Sequence, residues 1–278
     1  MNLEDLINKA LEEDLGEGDH TSLALVPNTE KGKTVMIAKE SGVVAGIDVA
    51  ALVFKTVDSN LQINSFVSDG QEIEKGDILM EISGSALSML SAERLSLNFI
   101  QRMSGIATYT RFLLNMVDDL PVKLLDTRKT TPCNRLVEKM AVKAGGGYNH
   151  RFGLFDMVMI KDNHIDFAGG IKQSIEKIQS YLKNNDLDLK IEIEARSFEE
   201  LYEIIAVGGI HRIMLDNFSP ADLKKAVKII DKKYETEASG GINEQTLRLY
   251  AETGVDYISI GALTHQIKSL DISLKAVI

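Results

Sequence analysis

A small α/β domain followed by a β/α barrel of six or seven units is the architecture this sequence predicts. Three observations point there. The 278 residues suffice for two moderate domains, a strand–loop–helix rhythm repeats beyond Pro121, and polar residues recur at the C-terminal end of strand after strand.

The elements follow in order. Over 2–13, Leu3, Leu6, Ile7 and Leu11 share one side of a short helix that Gly16 and Gly18 end. Residues 34–39 and 64–82 read as short strands broken by Asp-Gly and Lys-Gly turns, with a helix at 48–57 between them. From Ser91 to Val117 the spacing of Leu95, Phe99, Met103 and Ile106 is helical. Gly105 leaves open whether this is one bent helix or two. Six apolar strands are then expected at 122–127, 157–161, 189–194, 212–216, 236–240 and 257–261. Helices are expected at 133–144, 169–183, 198–206, 219–231 and 243–251. Parallel β/α units are the natural reading, and an open doubly wound sheet is the competing topology. The barrel is favoured because only a closed ring gathers every strand end around one mouth.

Composition narrows the function. The formal charge of −10 sets up a field that repels nucleic acid and anionic membranes, so no partner of either kind is expected. No apolar run approaches the roughly 20 residues of a membrane span, and the acidic start lacks the features of a secretory signal. One cysteine, Cys133, cannot make an intrachain disulfide or a cysteine metal cluster, which suits the cytoplasm; it is expected to be a small buried or half-buried side chain.

Against this acidic background the cations cluster. Arg128 and Lys129 follow an apolar strand, His150 and Arg151 follow three consecutive glycines, and Lys161 is followed by Asp162, Asn163 and His164. Brought together, they would line an anion pocket, Arg128 as a planar fork and Lys129 as a point charge. Gly145, Gly146 and Gly147 either end a helix or allow close approach. Glu192 and Glu194, two apart in a strand, share a face and can meet Asp216. Such carboxylates suit substrate-borne Mg²⁺ or sugar hydroxyls, or else one of them, Glu192 foremost, pairs internally with Arg128 or Arg151. Ser239, Gly240 and Gly241 precede a helix expected near Asn243, while Gly261 follows the last strand with His265 close behind; late βα loops of this kind wrap phosphate.

The chain resembles the quinolinate phosphoribosyltransferase family, also called carboxylating nicotinate-nucleotide pyrophosphorylase. The likeness runs through EEDLGEGDHT at 12–21, DGQEIEKGD at 69–77, AERLSLNFIQRMSGIAT at 92–108, DTRKTTP at 126–132, EKMAVKAGGGYNHRFGLFD at 138–156, IKDNHI at 160–165, IEIEA at 191–195, IMLDN at 213–217, EASGGI at 237–242 and GVDYISIGALTH at 254–265. The resemblance implies an N-terminal α/β sandwich over 1–108 that contributes to a partner's site. An incomplete six- or seven-stranded β/α barrel would occupy 109–278, its last segment packing back on the first domain. It also implies at least a homodimer.

By the same resemblance, Arg102, Arg128, His150, Arg151 and Lys161 bind quinolinate, with Arg102 donated across the dimer; a structural salt bridge is the alternative for Arg102. Lys129, Glu194 and Asp216 act on phosphoribosyl pyrophosphate and its Mg²⁺, with no permanent organic cofactor. Ser239, Gly240, Gly241, Gly261 and His265 hold the 5-phosphate. Cys133-Asn134 and Gln266-Ile267-Lys268 depart from the usual pattern beside these groups. The activity implied is decarboxylating phosphoribosyl transfer to quinolinate; a related transferase with another acceptor is the alternative, and the intact cation set argues against it.

Overall fold

The computed structural model describes residues 2–277. The chain divides into two compact units. One holds the chain up to Phe112, Lys129–Gly147 and the chain from Leu263 onward; the other holds Leu113–Arg128 and Tyr148–Ala262.

The first unit opens with α1 (Leu3–Leu15), started by an Asn2–Asp5 capping box and stopped at Gly16, and a short α2 (His20–Leu25). Then come β1 (Lys31–Ala38), β2 (Gly42–Val43), α3 (Ile47–Val57), β3 (Gln62–Ser65), β4 (Glu72–Ile73), β5 (Ile78–Ser85) and the 30-residue α4 (Ala86–Asn115). In chain order β6 (Lys123–Leu125) and α5 (Arg135–Ala144) follow, with α5 in this unit and β6 in the other. The remaining elements are β7 (Val158–Ile160), α6 (Asp162–Ala168), α7 (Ile171–Asn184), β8 (Ile191–Ala195), α8 (Phe198–Val207), β9 (Arg212–Asp216) and α9 (Pro220–Ile230). After them come β10 (Glu235–Ser239), α10 (Leu247–Ala251), β11 (Tyr257–Ser259), α11 (Ala262–His265) and β12 (Ile272–Ala276).

An antiparallel sheet of order β12-β1-β5-β3 anchors the first unit, so the last strand of the chain pairs with the first. Met36, Met80 and Ile82 of the sheet and Ile100, Met103 and Ile106 of α4 are fully buried. Two hydroxyls of α4 satisfy the chain beside β2: Ser104 accepts the Ala45 N–H at 3.0 Å and Thr108 the Val43 N–H at 2.8 Å.

Gly105 does not break α4, and the helix is one piece. It is glycine because the carbonyl of Lys268 crosses where a Cβ would stand. Likewise a Cβ on Gly145 would meet the Ala107 carbonyl and Thr110 of α4 at 2.6 Å, and Gly146 has φ +97°. The triple glycine therefore ends α5 and lets it close on α4. Cys133 is exposed, contrary to expectation: it occupies the turn before α5 with φ +66°, a conformation that favours glycine.

The second unit is a six-stranded parallel sheet of order β6-β11-β10-β9-β8-β7. The first strand lies beside the last, the circular order of a barrel; a doubly wound sheet would place it in the middle. β6 and β7 end the sheet without pairing, so the barrel is incomplete. Observed bounds fall within a few residues of the expected strands. Two differences matter: residues 162–168 form a helix where a loop was expected, and α10 begins at Leu247, a turn later than expected, because Asn243 Oδ1 takes the N–H groups of Gln245 and Thr246 in a turn of its own. Among the described residues, no helix is long and apolar enough to cross a membrane.

Gly105→Ala should destabilise the protein by about 1–3 kcal/mol in chemical denaturation, because overpacking outweighs alanine's better helix propensity.

Candidate active site

Alternate residues of each parallel strand share a face, and the register stacks them in layers. Glu192 is level with Arg212 and Arg212 with Glu235. One layer on, Glu194, Met214 and Glu237 are level, and beyond them Asp216 faces Ser239.

The deeper polar set is held by ion pairs. His150 Nε2 lies 3.1 Å from Glu192 and 3.3 Å from Glu237, and Arg212 donates to Glu237 at 3.0 Å and Glu235 at 3.1 Å. Ser259 also hydrogen-bonds Glu237, and the Arg212 guanidinium stacks 4.0 Å from the centre of the Tyr257 ring. Glu192 and Glu237 are fully buried and His150 nearly so. Glu192 thus has an internal partner, but it is His150.

Protonation follows from charge balance. Burial alone would lower the His150 pKa, but hydrogen bonds to Glu192 and Glu237 prevail and raise it to about 9. Burial, and then the neighbouring Glu237 charge, raise Glu192 to about 7. Glu237 is also buried, but its bonds to His150 bring it below the usual carboxylate range. One extra proton makes the set of two carboxylates, His150 and Arg212 neutral, which accounts for both increases. Nδ1 of His150 accepts the Arg151 N–H at 2.7 Å, so the geometry puts the shared proton on the side of Nε2 and the carboxylates. The ligand atoms of His150, Glu192 and Glu237 lie within 4.8 Å of one another and could coordinate a divalent metal by spacing. The nearest protein cation is Arg212, which Glu237 shares with Glu235.

Above this floor lie the charged groups of the mouth. Arg151 is held below its usual pKa first by burial and then by repulsion from Arg128, with Glu192 and Asp156 opposing. Arg151 is held in place: the buried Asp126 carboxylate takes the N–H of the neighbouring His150 at 2.9 Å, and Arg151 Nη1 donates to the Met157 carbonyl at 3.2 Å. Glu194 is raised first by burial and then by Asp216, with Lys161 opposing. Lys161 is exposed just before α6, where its N–H donates to His164 Nδ1 at 3.0 Å. At the end of β10, Gly240 (φ +105°) and Gly241 (φ +62°) turn the chain where other residues are strained; at Gly240 a Cβ would strike the Asn217 side chain. Asn217 donates its N–H to the Ser239 carbonyl at 2.9 Å, joining the loops after β9 and β10, and Gly261 follows β11.

Thus Arg128, His150, Arg151, Lys161, Glu194, Asp216, Ser239, Gly240, Gly241 and Gly261 all belong to the barrel unit. Arg102, Lys129 and His265 belong to the other unit. Arg102 is tied within its own chain, to Glu138 at 2.9 Å and the Thr264 carbonyl at 2.6 Å. Sequence reasoning missed Arg212 and Glu237. Parity could have found them: Glu237 stands two before Ser239 and Arg212 four before Asp216, as Glu192 stands two before Glu194.

A recess of about 430 Å³ opens beside Arg151 between β7, α6 and α7, with Leu154, Met159, His164 and Lys177 on its walls. It shares Arg151 with the polar set and none of its carboxylates.

Two family models cover this arrangement. Residues 19–104 match the N-terminal domain of quinolinate phosphoribosyl transferase and residues 106–275 its C-terminal domain. The chain belongs to the quinolinate phosphoribosyltransferase family. A chloroplastic carboxylating nicotinate-nucleotide pyrophosphorylase from Oryza sativa subsp. japonica is 46% identical, over 98% of this chain and 77% of that protein. A probable carboxylating nicotinate-nucleotide pyrophosphorylase from Bacillus subtilis is 43% identical over 99% and 93%. The solved nicotinate-nucleotide pyrophosphorylase of Francisella tularensis superposes with a TM-score of 0.92 at 40% identity, covering 99% of this chain and 96% of that one. A quinolinate phosphoribosyltransferase chain thus carries a charge-balanced floor beneath a cationic mouth.

The stability that His150 supplies should be complete below its unfolded pKa near 6.5 and disappear as pH rises through about 9. Urea unfolding should therefore show the wild type losing more stability than His150→Asn across that window.

Proposed function

We infer that the chain transfers the phosphoribosyl group of phosphoribosyl pyrophosphate to quinolinate with loss of CO₂, giving nicotinate mononucleotide and pyrophosphate. One observation carries this reading: Arg151 feels the like charge of Arg128 in a family member similar to pyrophosphorylases over nearly its whole length. Two such cations suit a multiply charged anion, and the adjacent carboxylates of quinolinate provide one.

Arg128, Arg151 and Lys161 hold the two ring carboxylates. His150 acts beneath them, since both its nitrogens are engaged, one by the Arg151 N–H and the other by the glutamates. The ring nitrogen, thus placed, attacks C1 of the ribose as the bond to pyrophosphate breaks, with positive charge developing on the sugar. Lys129, next along the chain from Arg128, meets phosphoribosyl pyrophosphate. Glu194 and Asp216 fit its Mg²⁺, being two carboxylates whose mutual repulsion a divalent cation relieves. When bound, that ion neutralises the leaving pyrophosphate. Ser239, Gly240, Gly241 and Gly261 offer backbone and hydroxyl donors to the 5-phosphate, with His265 as a further contact. The alkylated ring nitrogen then stabilises the electron pair left on C2 as CO₂ departs, and a proton replaces the carboxylate.

The working form is a homodimer. Leu154, Phe155 and Phe167, near the open edge of the barrel sheet, are 70%, 71% and 91% exposed, an apolar surface that a second copy would cover. The cation that crosses to the partner is Arg94 rather than Arg102. Arg94 is exposed on α4, with no hydrogen bond or ion pair among the described residues, whereas Arg102 is engaged internally. The single cysteine suits the cytoplasm as its compartment.

Incubation with Mg²⁺, phosphoribosyl pyrophosphate and quinolinate should release pyrophosphate and CO₂ together. Turnover of nicotinate in place of quinolinate would refute the reading. Arg128→Ala and Arg151→Ala should each lower kcat/KM for quinolinate by about 100-fold or more. Arg94→Ala protein mixed with Lys161→Ala protein should regain about a quarter of wild-type activity, because half the dimers are mixed and each has one intact site. No regain in verified mixed dimers would contradict the donation of Arg94.

A further inference from the structure

In the unit that holds Lys129, a buried ionic cluster lies behind that residue rather than in front of it. Arg102 of α4 donates from Nε at 3.2 Å and Nη2 at 2.9 Å to the same oxygen of Glu138 on α5. The other oxygen of Glu138 accepts the Thr131 N–H at 3.2 Å. Nη2 of Arg102 also donates to the Thr264 carbonyl in α11 at 2.6 Å, while the Thr264 hydroxyl donates to the Lys129 carbonyl at 2.9 Å. Glu138 and Thr264 are fully buried, and the Arg102 side chain is 31% exposed.

The segment from Lys129 to Thr131 is therefore pinned at two backbone points, by α5 and α11, and Arg102 of α4 ties those two elements together. We propose that Arg102, Glu138 and Thr264 are positioning residues that clamp this segment and so set where Lys129 meets phosphoribosyl pyrophosphate. The sequence suggests a different role for Arg102, as a direct ligand of quinolinate, but Nε and Nη2 are both spent on its own chain. A buried carboxylate that loses its guanidinium partner is strongly disfavoured. Arg102 and Glu138 should therefore act as one unit and show their effect through the segment they hold.

The clamp rests on the reading that Lys129 meets phosphoribosyl pyrophosphate, and kinetics can separate the two. Arg102→Gln, Glu138→Gln, their double variant, Thr264→Val and Lys129→Ala would be assayed while each substrate is varied in turn. The clamp predicts that Arg102→Gln and Glu138→Gln each lower kcat/KM for phosphoribosyl pyrophosphate by about tenfold or more, leaving KM for quinolinate within about threefold. The double variant should be no worse than the worse single one, since both remove the same interaction. A rise in quinolinate KM, or losses that multiply in the double variant, would overturn the proposal. If the Glu138 variant does not fold, Thr264→Val removes only the hydroxyl that holds Lys129 and should show the same substrate-selective loss in smaller degree. Unchanged kinetics there would equally overturn the clamp. Lys129→Ala tests the underlying reading: if it responds normally to phosphoribosyl pyrophosphate, that role of Lys129 falls. A large loss there beside normal clamp variants would sink the clamp alone.

Discussion

Everything in the barrel unit depends on charge neutrality in its deeper layer. Parallel strands in register place Glu192, Arg212 and Glu237 inside the sheet, where an isolated charge is very costly. They persist because each has a partner of opposite sign, with His150 supplied by the loop before β7. A barrel interior is ordinarily filled by branched apolar side chains. Here a neutral ionic set takes that place and supports the residues above it, with the His150 ring accepting the N–H of Arg151 directly.

The mouth works by the opposite principle. Its guanidinium groups Arg128 and Arg151 repel each other, and its carboxylates Glu194 and Asp216 oppose each other. Both defects are relieved by a dianionic acceptor and a magnesium-bearing pyrophosphate. The protein as a whole carries a charge of −10, so this local cationic surface is confined to where successive strand ends converge.

Strand order and helix positions were legible in the sequence because apolar strands and amphipathic helices differ in period, 2 against 3.6. Two glycine features were harder. Gly105 reads as a helix breaker, yet α4 continues through it because the constraint is the Lys268 carbonyl, more than 160 residues away in the chain. The triple glycine reads as either a helix end or a point of close approach, and it is both, ending α5 and letting it pack on α4. In the site, motif residues were recognised as polar groups at strand ends. Arg212 and Glu237 escaped notice because they lie nearer the middle or start of their strands, where polarity is usually taken as exposure. Arg102 was misleading for a similar reason: a cation in an apolar helix signals a polar partner, but sequence does not say whether that partner is a substrate or Glu138.

The account turns on two mutually repelling cations that bind a dianion. The most direct test is calorimetric titration of the protein with quinolinate and, separately, nicotinate, each at low and high salt. Quinolinate should bind at least about tenfold more tightly than nicotinate, and added salt should narrow the difference. Equal affinities that do not respond to salt would contradict the account.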